Sequence, residues 1–142
     1  YMAGNFLSGL YSVRVGLNRM MLAGAIVTLA GMTVLALVTL AGFVTPLIFF
    51  GFTGLIGLGN GILLPSANAG MLSVRPALAA SAAGIGGALL IGLGAALSAM
   101  AGAVLTPTSG PMPLILLMLV TSALSLACAI WVILRARAVA RQ

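Results

Sequence analysis

Two long apolar stretches, each bounded by arginine, dominate the hydrophobic pattern of the chain. No charged residue occurs between Arg19 and Arg75, or between Arg75 and Arg135. Each interval is long enough for two crossings of a bilayer, since one helical crossing takes about 20 residues. Glycine and proline interrupt the two stretches at residues 42–46 and 106–113, and both residue types break helices. The pattern therefore predicts two pairs of apolar helices.

These breaks predict an all-α membrane protein with four complete transmembrane helices, preceded by the end of a fifth. The predicted helices span residues 20–41, 46–72, 78–105 and 113–134, with the partial helix at about residues 1–11. Residues 1–134 would then form a partial C-terminal membrane bundle, and residues 135–142 a basic cytoplasmic tail. Because residues 1–11 are too short to cross a bilayer, we expect the chain to be the C-terminal part of a longer protein.

The cationic residues predict the orientation of the bundle. All six of them are arginine. A pair of crossings returns the chain to its starting side, so one side of the membrane should hold Arg14, Arg19, Arg75, Arg135, Arg137 and Arg141. Cations are enriched in cytoplasmic loops. The C-terminus is therefore predicted to be cytoplasmic.

Composition excludes several other classes of protein. The chain is 63% hydrophobic and 4% charged, and it contains no Asp, Glu or His, whereas soluble domains are about 25% charged. Its net charge of +6 does not indicate a nucleic-acid partner, because the arginines punctuate apolar runs and do not cluster on a soluble face. Acid–base catalysis and metal binding need side chains that this chain lacks, apart from a single cysteine, Cys128. We predict no enzyme activity, no metal site and no cofactor.

Residues 57–70 combine polar and helix-breaking residues inside one predicted crossing. Pro65 has no N–H and crowds the carbonyl of Gly61, which predicts a kink between these two positions. Asn60 lies near the middle of the span, where transporters bind their substrates, and Asn68 follows it at a rotation of only about 80°. We interpret Asn60, Asn68 and Ser66 as candidate residues of a substrate pathway. The alternative is that the amides only bridge neighbouring helices.

The next predicted helix carries small residues every four positions: Gly84, Ala88, Gly92 and Ala96. Small residues at this spacing allow two helix backbones to approach closely. The stripe predicts a helix-packing surface, which is either a static contact or a surface that slides during alternating access.

The segment 9–19 resembles the C-terminal copy of the cytoplasmic signature loop of the major facilitator superfamily. The matching positions are Gly9, Arg14, Gly16 and Arg19. Val13 stands where the signature of the N-terminal half has an aspartate, so the resemblance implies no charge relay through this position. Segments 59–70, 79–84 and 87–89 are similar to the tenth and eleventh helices of drug:proton antiporters of the bicyclomycin-resistance (Bcr/CflA) type, with Leu90 in place of a frequent Gln.

The resemblance implies the C-terminal half-bundle of a twelve-helix transporter in a bacterial inner membrane. Its implied activity is the efflux of small lipophilic drugs, driven by protons and performed by alternating access. The implied partners are a small-molecule substrate, protons, the lipid bilayer and the missing N-terminal half of the same chain. Because this chain has no carboxylate, the proton-binding acid would lie in that missing half.

Two other functions are compatible with the sequence. The chain is alternatively a complete small membrane subunit with a structural or channel-forming role. It is also compatible with a metabolite importer of the same fold. The apolar surroundings of Asn60 favour lipophilic substrates over sugars, because sugar sites usually present several polar groups.

Overall fold

The computed structural model describes residues 1–43, 45–105 and 110–139. This part of the chain forms five α-helices, and a single 3-10 turn, Pro76–Leu78, leads into the fourth. The helices are α1 (Met2–Val15), α2 (Leu17–Leu40), α3 (Pro46–Ser73), α4 (Ala79–Val104) and α5 (Met112–Val139). Arg141 and residues 106–109, half of the second predicted break, lie outside the described residues.

Four helices of the described chain are long and apolar enough to cross a bilayer. They comprise α2, α3, α5 and the segment Pro76–Val104, which includes α4. The 24 residues of α2 correspond to about 36 Å of helix, against about 30 Å of hydrocarbon. The predicted all-helical fold with four candidate crossings is therefore confirmed by the length and composition of these helices. Four such helices are typical of a multi-pass membrane protein.

Local sequence explains the break between α2 and α3. Gly42 has a φ of 81°, and the Phe43 and Gly42 amides donate to the carbonyls of Val38 and Thr39 at 3.2 and 3.1 Å. This pair of hydrogen bonds is a Schellman motif, which uses a glycine to end a helix. Thr45 then caps α3, since its Oγ1 accepts a hydrogen bond from the Ile48 amide. The helix break predicted at residues 42–46 is confirmed for its described residues, since α2 ends at Leu40 and α3 begins at Pro46.

The helix boundaries differ from the prediction at both ends of the chain. α1 extends to Val15, past the predicted end at residue 11. α5 continues to Val139, five residues beyond the predicted end at residue 134, so the start of the expected tail is helical. Arginine near a helix C-terminus interacts favourably with the helix dipole, and the Arg135 guanidinium lies 5.6 Å from the centre of the Trp131 ring.

α3 is central to the packing of the bundle. It contacts α2 along its length and α1 on another face, while α5 packs against α2. The main buried cluster joins α2, α3 and α5 and consists of Met32, Leu35, Ala36, Ile56 and Ile115. α1 and α3 run in the same direction, because Gly4 meets Gly61 and Ser8 meets Ser66.

α4 is peripheral, and none of its residues is buried. Near its start, Gly86 faces the Met71 side chain of α3. Its last turn borders the beginning of α5 across an apolar groove of 350 Å³. The predicted stripe of Gly84, Ala88, Gly92 and Ala96 is exposed throughout, and a Cβ placed on Gly84 or Gly92 would meet nothing within 4 Å. The described chain therefore supplies no partner for this stripe.

The described arginines lie at one end of the bundle, which we call the arginine end. Arg19 and Arg137 line the same cavity, and so do Val15 and Val74, the neighbours of Arg14 and Arg75. The turn between α2 and α3 lies at the opposite end, because each helix reverses the direction of the previous crossing.

Gly16 separates α1 from α2 with backbone angles that only glycine adopts readily. Its φ is 92° and its ψ is 142°. We expect Gly16→Ala to lower the free energy of unfolding by about 2 kcal/mol, since a side chain at such angles is strained. Reversible unfolding of the chain in mixed detergent micelles would measure this change.

The control for Gly16 is Gly9, which lies inside α1. A Cβ at either glycine would meet nothing within 4 Å, so the two substitutions differ only in backbone conformation. Gly9→Ala should be neutral or stabilising by less than about 1 kcal/mol. Equal losses at both positions would contradict the explanation from backbone strain.

Candidate functional site

A polar groove of 510 Å³ lies between α1 and α3, in the half of the bundle nearer the arginine end. Its polar lining residues are Tyr1, Asn5, Ser8, Ser12, Ser66 and Asn68. Leu17, Leu64 and Ala69 contribute apolar wall to the same groove. The groove therefore offers hydroxyl and amide groups beside hydrocarbon surface, within helices that are otherwise apolar.

α1 supplies one side of the groove. Asn5, Ser8 and Ser12 follow one another at spacings of three and four residues, which places them on one face of a helix. These three residues are not among the predicted site residues, because the sequence predicts α1 only as the end of a partial helix. Their spacing is the signal that would have identified them.

A hydrogen-bonded pair of serines joins α1 to α3 at the groove. Both Ser8 and Ser66 are buried, and their Oγ atoms lie 3.1 Å apart. The Ser66 hydroxyl donates to the carbonyl oxygen of Ile62 at 3.0 Å. Because a hydroxyl has one proton, Ser8 is the donor to Ser66. A short chain of hydrogen bonds thus runs from Ser8 through Ser66 to the backbone of α3.

Glycines allow α1 to approach α3 closely beside this pair. A Cβ built on Gly4 would lie 2.9 Å from the Gly61 Cα, and one built on Gly61 would lie 3.0 Å from the Asn5 amide nitrogen. Neither position has room for a side chain. Helices in membranes use small residues in this way to bring their backbones together.

Pro65 lines the groove and lies within a continuous α3. Since proline has no N–H, the Gly61 carbonyl lacks the donor that the helix normally provides four residues later. The kink predicted between Gly61 and Pro65 stays a prediction.

The two candidate asparagines have different surroundings. Asn68 is exposed and lines the groove, together with Ser66. Asn60 is half-buried and does not belong to the groove lining. The structure therefore brings Ser66 and Asn68 together with α1 and leaves Asn60 on a different part of α3.

The residues of the signature-like loop are divided between two cavities. Gly9 lines the polar groove, while Gly16 and Arg19 line the cavity at the arginine end. Arg14 is exposed near the end of α1.

The chemistry of the groove is that of neutral hydrogen bonding. Its polar atoms are hydroxyls, amides and backbone groups, and the chain has no Asp, Glu or His that could carry a proton in the groove.

Comparisons of the chain with protein-family models, with curated proteins and with solved structures find no significant match. The geometry of the groove and the sequence resemblance are therefore the basis for a functional proposal.

Proposed function

We propose that this chain forms part of the C-terminal half-bundle of a secondary active transporter of the major facilitator superfamily. The proposed activity is proton-coupled efflux of small lipophilic drugs by alternating access. The polar groove between α1 and α3 is the observation that carries the proposal. The proposed setting is a bacterial inner membrane, with the C-terminus in the cytoplasm.

The groove supports a substrate pathway because polar side chains are unfavourable in contact with lipid. Polar residues within membrane helices usually face protein or a water-filled cavity and often mark a path for substrate. Here Asn5, Ser12 and Asn68 line a cavity that could hold a small molecule. The apolar wall beside them suits a lipophilic ligand with a few hydrogen-bonding groups.

Proton coupling is proposed to need a carboxylic acid side chain, and this chain contains no Asp or Glu. We propose that the acid is supplied by the N-terminal half, which would pack against the groove and complete the pathway. The serine and asparagine side chains would then bind and orient the substrate.

Reconstitution of the product of the full reading frame into proteoliposomes tests the proposal. With an imposed proton gradient, we expect uptake of lipophilic cations such as ethidium and a matching dissipation of the gradient. Empty liposomes and vesicles treated with a protonophore are the controls. Absence of drug-dependent proton flux across a broad panel of drugs would contradict the proposal.

A small structural or channel-forming subunit is the second candidate, and the exposed small-residue stripe of α4 favours it. Such a stripe suits close packing against another membrane protein. The reading frame upstream of Tyr1 distinguishes the two candidates, since the transporter requires about seven further helices there.

A further inference from the structure

We propose that the cavity at the arginine end binds the phosphate of an anionic phospholipid. The cavity has a volume of 830 Å³ and lies between the junction of α1 with α2, the end of α3 and the end of α5. Arg19 and Arg137 both line it. The inference goes beyond the proposed transport and does not depend on it.

This protein has no acidic side chain that could pair with Arg19 or Arg137. The sequence contains no Asp or Glu, so no side-chain carboxylate of this protein can neutralise them. Arg19 also lies in the first turn of α2, where a cation is unfavourable because the N-terminal end of a helix is partially positive. Arg137 reaches the same cavity from the last turn of α5. An anion in the cavity would reduce the repulsion between the two positively charged arginines. It would also offset the unfavourable placement of Arg19 at the N-terminal end of α2.

Backbone groups add to the attraction for an anion. The amides in the first turn of a helix have no carbonyl partner within the helix, and Leu17 and Asn18 at the start of α2 line this cavity. Anions bind readily to such amides. Two arginines and a helix N-terminus thus border one cavity.

The walls of the cavity select a lipid over a free anion. Apart from the two arginines, Asn18, Ser66 and Ser73, the lining is apolar and includes Leu22, Met71, Val132 and Ile133. A phospholipid can place its phosphate between the arginines and its acyl chain along this wall. The arginine end is also where headgroups should lie, because arginine is favoured at the membrane interface.

Binding of phosphatidylglycerol to the full 142-residue chain in detergent micelles tests the proposal, with native mass spectrometry to give dissociation constants. Each of Arg19→Gln and Arg137→Gln should weaken binding about fivefold, and the double variant should weaken it more than either single change, by up to about 25-fold. Arg75→Gln is the matched control, because Arg75 lies at the same end but not in the cavity lining. It should change binding less than about twofold. Phosphatidylcholine should bind weakly and equally to the original protein and all four variants.

Two further measurements keep the result interpretable. Arg19→Lys retains the charge and should bind within about threefold of the original protein, while circular dichroism checks that each variant is helical. Inorganic phosphate should not displace phosphatidylglycerol. An equal loss in Arg75→Gln, an unaffected double variant, or displacement by inorganic phosphate would each overturn the proposal.

Discussion

Replacement of Gly59 by alanine is expected to destabilise the bundle by about 3 kcal/mol, at the upper end of the usual effect of overpacking. A Cβ at Gly59 would overlap Thr28 Oγ1 and lie 2.9 Å from both the Gly24 carbonyl oxygen and the Thr28 nitrogen. Two of these three atoms belong to the backbone of α2 and cannot rotate away. The added methyl group must therefore push α2 and α3 apart, along the most extensive interface of the bundle.

Two further substitutions test whether the loss comes from the contact between α2 and α3: one at the facing glycine of α2, and a control elsewhere on α3. Gly24→Ala should have a similar effect, since its Cβ would lie 2.7 Å from the Gly59 carbonyl oxygen and the Leu63 nitrogen. Gly54→Ala should be neutral or slightly stabilising, because its Cβ would meet nothing within 4 Å and alanine favours helix more than glycine. Reversible unfolding in mixed micelles measures all three. A loss at Gly54 equal to that at Gly59 would contradict the packing explanation.

A second substitution can separate the hydroxyl overlap from the backbone contact. Thr28→Ala removes Oγ1 and its hydrogen bond to the Gly24 carbonyl, whose length is 2.9 Å. Combined with Gly59→Ala, it should recover part of the lost stability. Full recovery would show that the hydroxyl alone prevents the closer approach, whereas the positions of the backbone atoms predict only partial recovery.

The number and approximate limits of the membrane helices followed from the sequence because the signals are local. Arg19 and Arg75 bound one pair of crossings, and Gly42 ends α2 through hydrogen bonds within the same turn. α5 continues past residue 134, the predicted limit of the membrane crossing. A helix ends where its backbone is interrupted, and no Gly or Pro follows Trp131 in the described chain.

Helix pairing could not be predicted from small residues alone. The stripe at Gly84 and Gly92 has the spacing of a packing surface, yet the described chain places no helix against it. The close approaches occur at Gly59 and Gly61, which lie on opposite faces of α3 because two residues turn a helix by about 200°. Glycine spacing shows that close packing is feasible, while the choice of partner depends on the whole bundle.

The location of the candidate site also depends on how the helices pack, which the positions of residues along one helix do not determine. Asn60 and Asn68 were grouped because they lie about 80° apart on α3. α1 packs at Gly61, and Asn68 lies only about 20° from Gly61 around the helix, whereas Asn60 lies about 100° away. The position of α1 therefore determines which asparagine reaches the groove, and α1 was the helix about which the sequence was least informative.

We expect Asn68→Ala to lower drug export about tenfold, and the matched Asn60→Ala to lower it less than about twofold. This prediction rests on the proposed transport function. Asn68 is exposed in the groove, so its contact with a substrate becomes buried only when the substrate binds. Removing one hydrogen-bonding partner from such a contact is unfavourable by about 1–3 kcal/mol, and about 1.4 kcal/mol corresponds to a factor of ten. Initial rates of export by the full-length protein in proteoliposomes would measure both effects.

Asn5→Ala should reproduce the effect of Asn68→Ala, because Asn5 lines the groove from α1. If both amides bind the same substrate molecule, the double variant should lose less than the product of the two single effects, since residues that act on one ligand are not additive. Normal protein abundance and helical content would separate a binding defect from misfolding. Greater loss in Asn60→Ala than in Asn68→Ala would place the substrate pathway on the side of α3 that bears Asn60 and refute the groove as the site.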